Sequence, residues 1–125
     1  MAKTMLEPMN LRWTVIRDLA KDESTLEVIK DEGKYRLEDI DLEVQWTTKE
    51  WYTFQNNDFS SARGETYCIR EFKREDWSVD TITRTVLTSD ASYYYIHAAL
   101  DAYERDRRVY SQNWNRQIPR EGKVM

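Results

Sequence analysis

Polar and apolar residues alternate along most of this chain with a period of two. That is the repeat of an extended strand, whose side chains point to opposite faces in turn. Leu11, Trp13 and Val15 alternate with Arg12 and Thr14, and Ile16 follows. Leu26 and Val28 mark a second run, and Asp31-Glu32-Gly33-Lys34 predicts a hairpin turn, because glycine accepts the positive φ such turns need. Tyr35 and Leu37 resume on its far side. Leu42, Val44 and Trp46 alternate with Asp41, Glu43 and Gln45, and Trp51, Tyr52 and Phe54 extend this region to a loop at Gln55-Asn56-Asn57-Asp58.

The second half carries longer runs. Glu65 to Phe72 predicts one strand, and Lys73-Arg74-Glu75-Asp76 a charged turn. Trp77 to Thr88 is rich in threonine and β-branched residues, which suit a pleated, half-buried surface. Ser89-Asp90-Ala91-Ser92 turns the chain into Tyr93 to Glu104, and Arg105-Asp106-Arg107 turns it into Val109 to Ile118. Pro119 cannot donate to a ladder and marks a strand end or an edge. Ala98 to Glu104 contains good helix formers, yet Tyr94, Ile96, Ala98, Leu100 and Ala102 are apolar at every second place, so the segment reads as strand. A short helix near Met5–Met9 is weakly signalled.

Seven or more strands in one domain, the last three joined by short turns, predict an all-β fold. The expected form is an antiparallel β-sandwich or an up-and-down barrel with a long-stranded C-terminal meander. A single sheet would leave one aromatic face in water, so closure or stacking is expected. Residues 1–10 read as an N-terminal extension, 11–120 as a single β domain and 121–125 as a C-terminal tail.

Composition narrows the function. The 125 residues carry 19 Lys and Arg against 23 Asp and Glu, a net charge of −4 that argues against nucleic acid as a partner. The single Cys excludes an internal disulfide and a cysteine metal cluster, and the single His excludes a two-histidine zinc site. No apolar run approaches the roughly 18–20 residues of a membrane span, and MAKTMLEPMN lacks the features of a secretion peptide. A cytoplasmic protein without cofactor, metal or membrane partner is expected, with its lone thiol reduced.

Candidate chemistry is sparse. None of Gly33, Gly64 and Gly122 flanks a serine in the Gly-x-Ser-x-Gly elbow, and no serine can be assigned to His97 from spacing, so no catalytic residue is expected. Cys68, beside Tyr67 and Ile69, reads as a small buried hydrophobe, with Arg70 the nearest cation that would activate it. The acidic groups Asp39/Asp41/Glu43 and Glu71/Glu75/Asp76 lack the spacing of a calcium loop and read as solvated faces or turns. Trp46, Trp51, Trp77 and Trp114 read as core. The one candidate ligand-binding set is Tyr93, Tyr95, His97, Thr83 and Thr85, placed on one nominal face of two adjacent strands.

A succession of segments adds a resemblance. Ser60-Ser61-Ala62-Arg63-Gly64-Glu65-Thr66, Asp76-Trp77-Ser78-Val79-Asp80-Thr81, and Thr83-Arg84-Thr85-Val86-Leu87-Thr88-Ser89-Asp90 follow in order. Ala99-Leu100-Asp101-Ala102-Tyr103-Glu104 and Ile118-Pro119-Arg120 complete it, and Trp13-Thr14-Val15-Ile16-Arg17-Asp18-Leu19 fits its start. From about Leu11 to Arg120 the chain resembles the C-terminal end of CocE/NonD hydrolases, the X-Pro dipeptidyl-peptidase and cocaine-esterase-like family. The resemblance implies a jelly-roll-like β-domain that packs on an α/β-hydrolase domain carrying a Ser–Asp–His triad absent from this chain. It implies a non-catalytic module that acts in packing or association, with a catalytic α/β-hydrolase domain as partner; exposed sheet edges and aromatic surface make a homodimer the other expected association. The alternative is a small-molecule-binding β-barrel with an aromatic and polar pocket.

Overall fold

The structure is a computed structural model, and it describes residues 2–120; the tail expected at 121–125 lies outside them. Eight strands follow one another: β1 (Lys3–Glu7), β2 (Asn10–Asp18), β3 (Glu23–Leu37), β4 (Leu42–Gln55), β5 (Asp58–Arg74), β6 (Trp77–Ser89), β7 (Tyr93–Glu104) and β8 (Arg107–Pro119). All pair antiparallel in a single up-and-down sheet. β1 and β2 run one after the other along the outer side of β3, so residues of the expected extension form part of an edge.

The turns explain the order. Two-residue connections at Asn56-Asn57, Glu75-Asp76 and Arg105-Asp106 fold each strand directly onto its predecessor. Asn56 and Asn57 have φ of 53° and 58°, the left-handed pair that matches the twist of a tight hairpin. The Asp18 carboxylate accepts the N–H groups of Ala20 and Lys21 in the β2–β3 turn. The Asp90 carboxylate accepts those of Ser92 and Tyr93 between β6 and β7, an Asx-type turn.

The expectation of a β-sandwich, jelly-roll-like or otherwise, or of an up-and-down barrel is corrected by this arrangement. The described strands contact only their hydrogen-bonded neighbours, the β1–β2 edge does not meet β8, and no second sheet is present among them. The physical reason lies in the connections. A jelly roll needs long crossovers that carry strands between two layers. Turns this short return each strand to the same ladder, and closure into a barrel would additionally require the two edges to pair.

The segment Asp31–Lys34 is also corrected: it is not a hairpin turn but an irregularity within β3. Register shifts there against β4, and between Met5 and Glu7 on β1. Gly33 adopts φ 81° and donates its N–H to Asp31 Oδ1 at 2.9 Å. The turn itself lies at residues 38–41, where Asp41 takes φ 49°. A left-handed glycine serves a β-bulge as well as a turn, so composition alone does not separate the two. Met5–Met9 is not helical either; β1 ends at Glu7, next to Pro8.

Gly33 is the position least able to accept a side chain. An added Cβ would stand 2.5 Å from the Glu7 carbonyl oxygen. Gly33→Ala is expected to destabilise the fold by about 1–3 kcal/mol, the cost of a strained backbone site. Urea denaturation checks this, and an unchanged midpoint would show that the bulge is not required.

Candidate functional site

Directly opposed residues in an antiparallel ladder share a face, so the register sorts the side chains across the whole sheet. One row runs Trp13, Val28, Glu50, Thr66, Thr85, Ala98 and Trp114 from β2 to β8. The rows beside it carry Leu11 and Val15 on β2, Leu26 on β3, Val44, Trp46, Tyr52 and Phe54 on β4, Leu87 on β6, and Tyr94, Ile96 and Leu100 on β7. Large apolar side chains dominate this face, with Thr66, Thr83 and Thr85 and the charged Lys30, Glu50, Arg70 and Arg116 among them.

The opposite face is laced with ion pairs. Arg12–Glu27 (2.9 Å), Arg63–Glu65 (3.0 Å), Arg84–Glu65 (2.7 Å) and Arg108–Asp101 (3.6 Å) lie across it. Trp51 Nε1 donates to Glu27 Oε2, and Ile29, Ile69, Ile82 and Val86 are half-buried among the longer side chains. Hydrogen bonds from Trp51 and then Arg12 hold the Glu27 carboxyl below its ordinary pKa; the Arg84 bond does the same for Glu65. Exposed pairs of this kind add little stability, but they make the face comfortable in water.

The apolar face has no such cover. Among the described residues only Val28 and Val44 are buried hydrophobics, while Trp13 is 64% and Val15 72% exposed. Leu11, Trp46, Tyr52, Phe54, Leu87, Tyr94 and Ile118 are exposed on the same side. The tryptophans expected in the core therefore do not fill one: Trp46 and Trp77 lie open on the sheet. The chain exposes 9112 Å², roughly 2,000 Å² more than the about 7,100 Å² typical of a folded monomer of this mass. Towards the β2–β3 turn the face is hollowed, with a volume near 660 Å³ between Val15, Leu26, Tyr52, Phe54, Leu87 and Tyr94. Gly64 leaves room at its floor, where a Cβ would meet the Tyr52 ring at 3.4 Å.

The structure divides the candidate ligand set. Thr83 and Thr85 oppose Leu100 and Ala98 on the apolar face, whereas Tyr95 and His97 oppose Thr88 and Val86 on the charged one. Tyr93 lies with Tyr95, their ring centroids 6.2 Å apart. A one-residue difference in register exchanges faces, and spacing within each strand does not reveal register between strands. Tyr95 donates to the Asp90 carboxylate at 2.6 Å, which, ahead of the backbone bonds, lowers the Asp90 pKa and raises that of Tyr95. His97 Nδ1 lies 2.6 Å from Asn115 Oδ1, beside a hollow of about 300 Å³. Cys68 receives Trp46 Nε1 at 3.2 Å, and Arg70 lies 4.1 Å above the Trp46 ring rather than serving the thiol. Sequence reasoning missed Leu26, Tyr52, Phe54, Leu87 and Tyr94 as one surface, although each has its place in an alternating run.

On the charged face Glu71 opposes Asp80 directly. Burial, and after it the Asp80 charge, raises the Glu71 pKa; burial and then Asp106 raise that of Asp80. No group of three or more metal-ligating side chains occurs among the described residues. Comparison with protein-family models, curated proteins and solved structures finds no match to this chain.

A carboxyl with a raised folded pKa holds its proton more tightly in the folded chain. Stability is then greatest below the unfolded pKa and declines as pH rises through the folded one. Asp80→Asn is expected to stabilise the protein at pH 7, with the gain vanishing below about pH 4. Thermal unfolding of both proteins across this range checks it, and a gain that persists in acid would assign the effect to something other than charge.

Proposed function

We propose that this chain is a non-catalytic β-module that works by association, a partner covering the apolar face of its sheet. What carries the reading is the segregation of side chains. Trp13, Val15, Tyr52, Phe54, Leu87 and Tyr94 stand exposed on one face, and the ion pairs of Glu27 and Glu65 occupy the other. At about 25 cal/mol per Å², each 100 Å² of this face left in water forgoes about 2.5 kcal/mol of burial. Contiguous exposed apolar surface of this extent marks a contact surface.

A packing role is also what the resemblance to the C-terminal end of CocE/NonD hydrolases implied, but the jelly-roll-like fold it implied with it is not the fold of this chain, so the reading stands on the sheet face alone. In keeping with it, His97 engages Asn115 and Cys68 engages Trp46, so neither is joined to an arrangement that would activate a nucleophile. The proposed work is to supply a surface, in the cytoplasm and without a cofactor. A small apolar ligand is the second reading, favoured by the volume near 660 Å³, but that hollow belongs to the same uncovered face.

Dye binding and turnover test the proposal together. Dilute protein is expected to enhance the fluorescence of an anilinonaphthalene dye several-fold. Leu87→Glu is expected to reduce that signal and Ile16→Glu, on the charged side of β2, to leave it unchanged. Chromogenic esters and X-Pro peptides are expected to show no turnover above buffer. Dye silence in protein that is monomeric at the same concentration would remove the association surface, and robust turnover by pure protein would remove the non-catalytic assignment.

A further inference from the structure

We propose that the partner covering this face is a second copy of the chain, which supplies the second layer that the single sheet lacks; the inference rests on the association reading above. The first argument is area. The roughly 2,000 Å² of surface that one chain exposes beyond a typical monomer would, if covered in both copies, remove up to about 4,000 Å² from water. Obligate homodimers bury about 2,000–5,000 Å² in all, and their interfaces are the apolar kind that resembles a divided core.

The second argument is stability. A single layer with two buried hydrophobic residues, Val28 and Val44, has almost no interior of its own. Domains are built from at least two packed layers. In a solution of the pure protein the only second layer available is another molecule. A two-fold contact is self-complementary, each surface feature meeting its counterpart on the partner.

The third argument is shape. Two hollowed faces laid together would enclose an empty space, which forfeits dispersion contacts. Beside the hollow bounded by Leu26, Tyr52, Phe54 and Leu87 runs the edge strand β2, whose Leu11, Trp13 and Val15 are among the most exposed hydrophobic side chains and form a row free to act as a ridge. A two-fold axis between the copies lets the Trp13 ridge of each fill the hollow of the other. Near the ridge and the hollow the charges do not oppose it, since Lys30 pairs with Glu50 at 3.8 Å, Arg17 binds Asp22, and Arg70 lies over Trp46; Arg116, Arg74 and Glu104 on the same face do not line the hollow.

Light scattering on the full chain, with urea unfolding at several protein concentrations, tests the inference. The expected result is a dimer whose unfolding midpoint rises with concentration. Trp13→Glu and Leu87→Glu are expected to weaken association at least 100-fold, and Ile16→Glu on the other side of the same strand to leave it intact. Should the Glu variants fail to fold, the concentration dependence of the unsubstituted chain decides alone. A folded monomer that binds the dye would overturn the second copy while leaving association with a different partner standing. A folded monomer that does not bind it would overturn both. A dimer disrupted by Ile16→Glu but not by Trp13→Glu would place the contact on the charged face and overturn the proposal.

Discussion

An extended strand offers its side chains only two directions, and hydrogen bonding to neighbours uses up the plane between them. Everything else in this molecule follows from that restriction. Six hairpin-like steps, from β2 to β8, together with β1 laid along β3, bring eight strands into one sheet whose backbone groups pair chiefly with neighbouring strands. The same steps sort charged side chains to one side and aromatic and aliphatic ones to the other. Backbone pairing is thereby satisfied within the chain, while the hydrophobic requirement is not.

The two faces illustrate different physics. On the charged side, Glu27 and Glu65 each gather two donors, and the half-buried isoleucines lie beneath long side chains that keep their charges in water. On the other side, Trp46 is served only by Cys68 and Arg70, and Tyr52 by Glu50 at 2.5 Å. These contacts satisfy polar atoms one at a time without excluding water from the rings. The difference is why a single chain has many satisfied polar groups and almost no interior.

Much of this was legible in the residues. The alternation of Leu42, Val44 and Trp46, the β-branched run from Trp77 to Thr88 and the turns at Asn56-Asn57 and Arg105 all became strands and turns where the pattern placed them. The tension was legible too, since a lone sheet was expected to expose an aromatic face. What periodicity does not encode is the relation between strands. Closure depends on edges meeting, and the division of Thr83 and Thr85 from Tyr95 and His97 depends on register between β6 and β7. Gly33 shows a local version of the same limit. Its left-handed φ was legible, but whether it turned the chain or only bulged it was decided by Glu7 and Pro8, far away in sequence.

That bulge has a bearing on how the sheet can grow. Pro8 has no N–H to offer, and the shift between Met5 and Glu7 breaks the spacing along the outer side of β1 and β2. A strand arriving there cannot stay in step across the break. β8, with thirteen residues from Arg107 to Pro119, forms the other border, and it too is interrupted, by a register shift that leaves Val109 between the partners of Ala102 and Tyr103. Continuous fibre formation by strand addition needs two compatible borders on every molecule. A break on each border shortens the run over which a further strand can pair in step, and so works against continuous growth of this exposed sheet by strand addition.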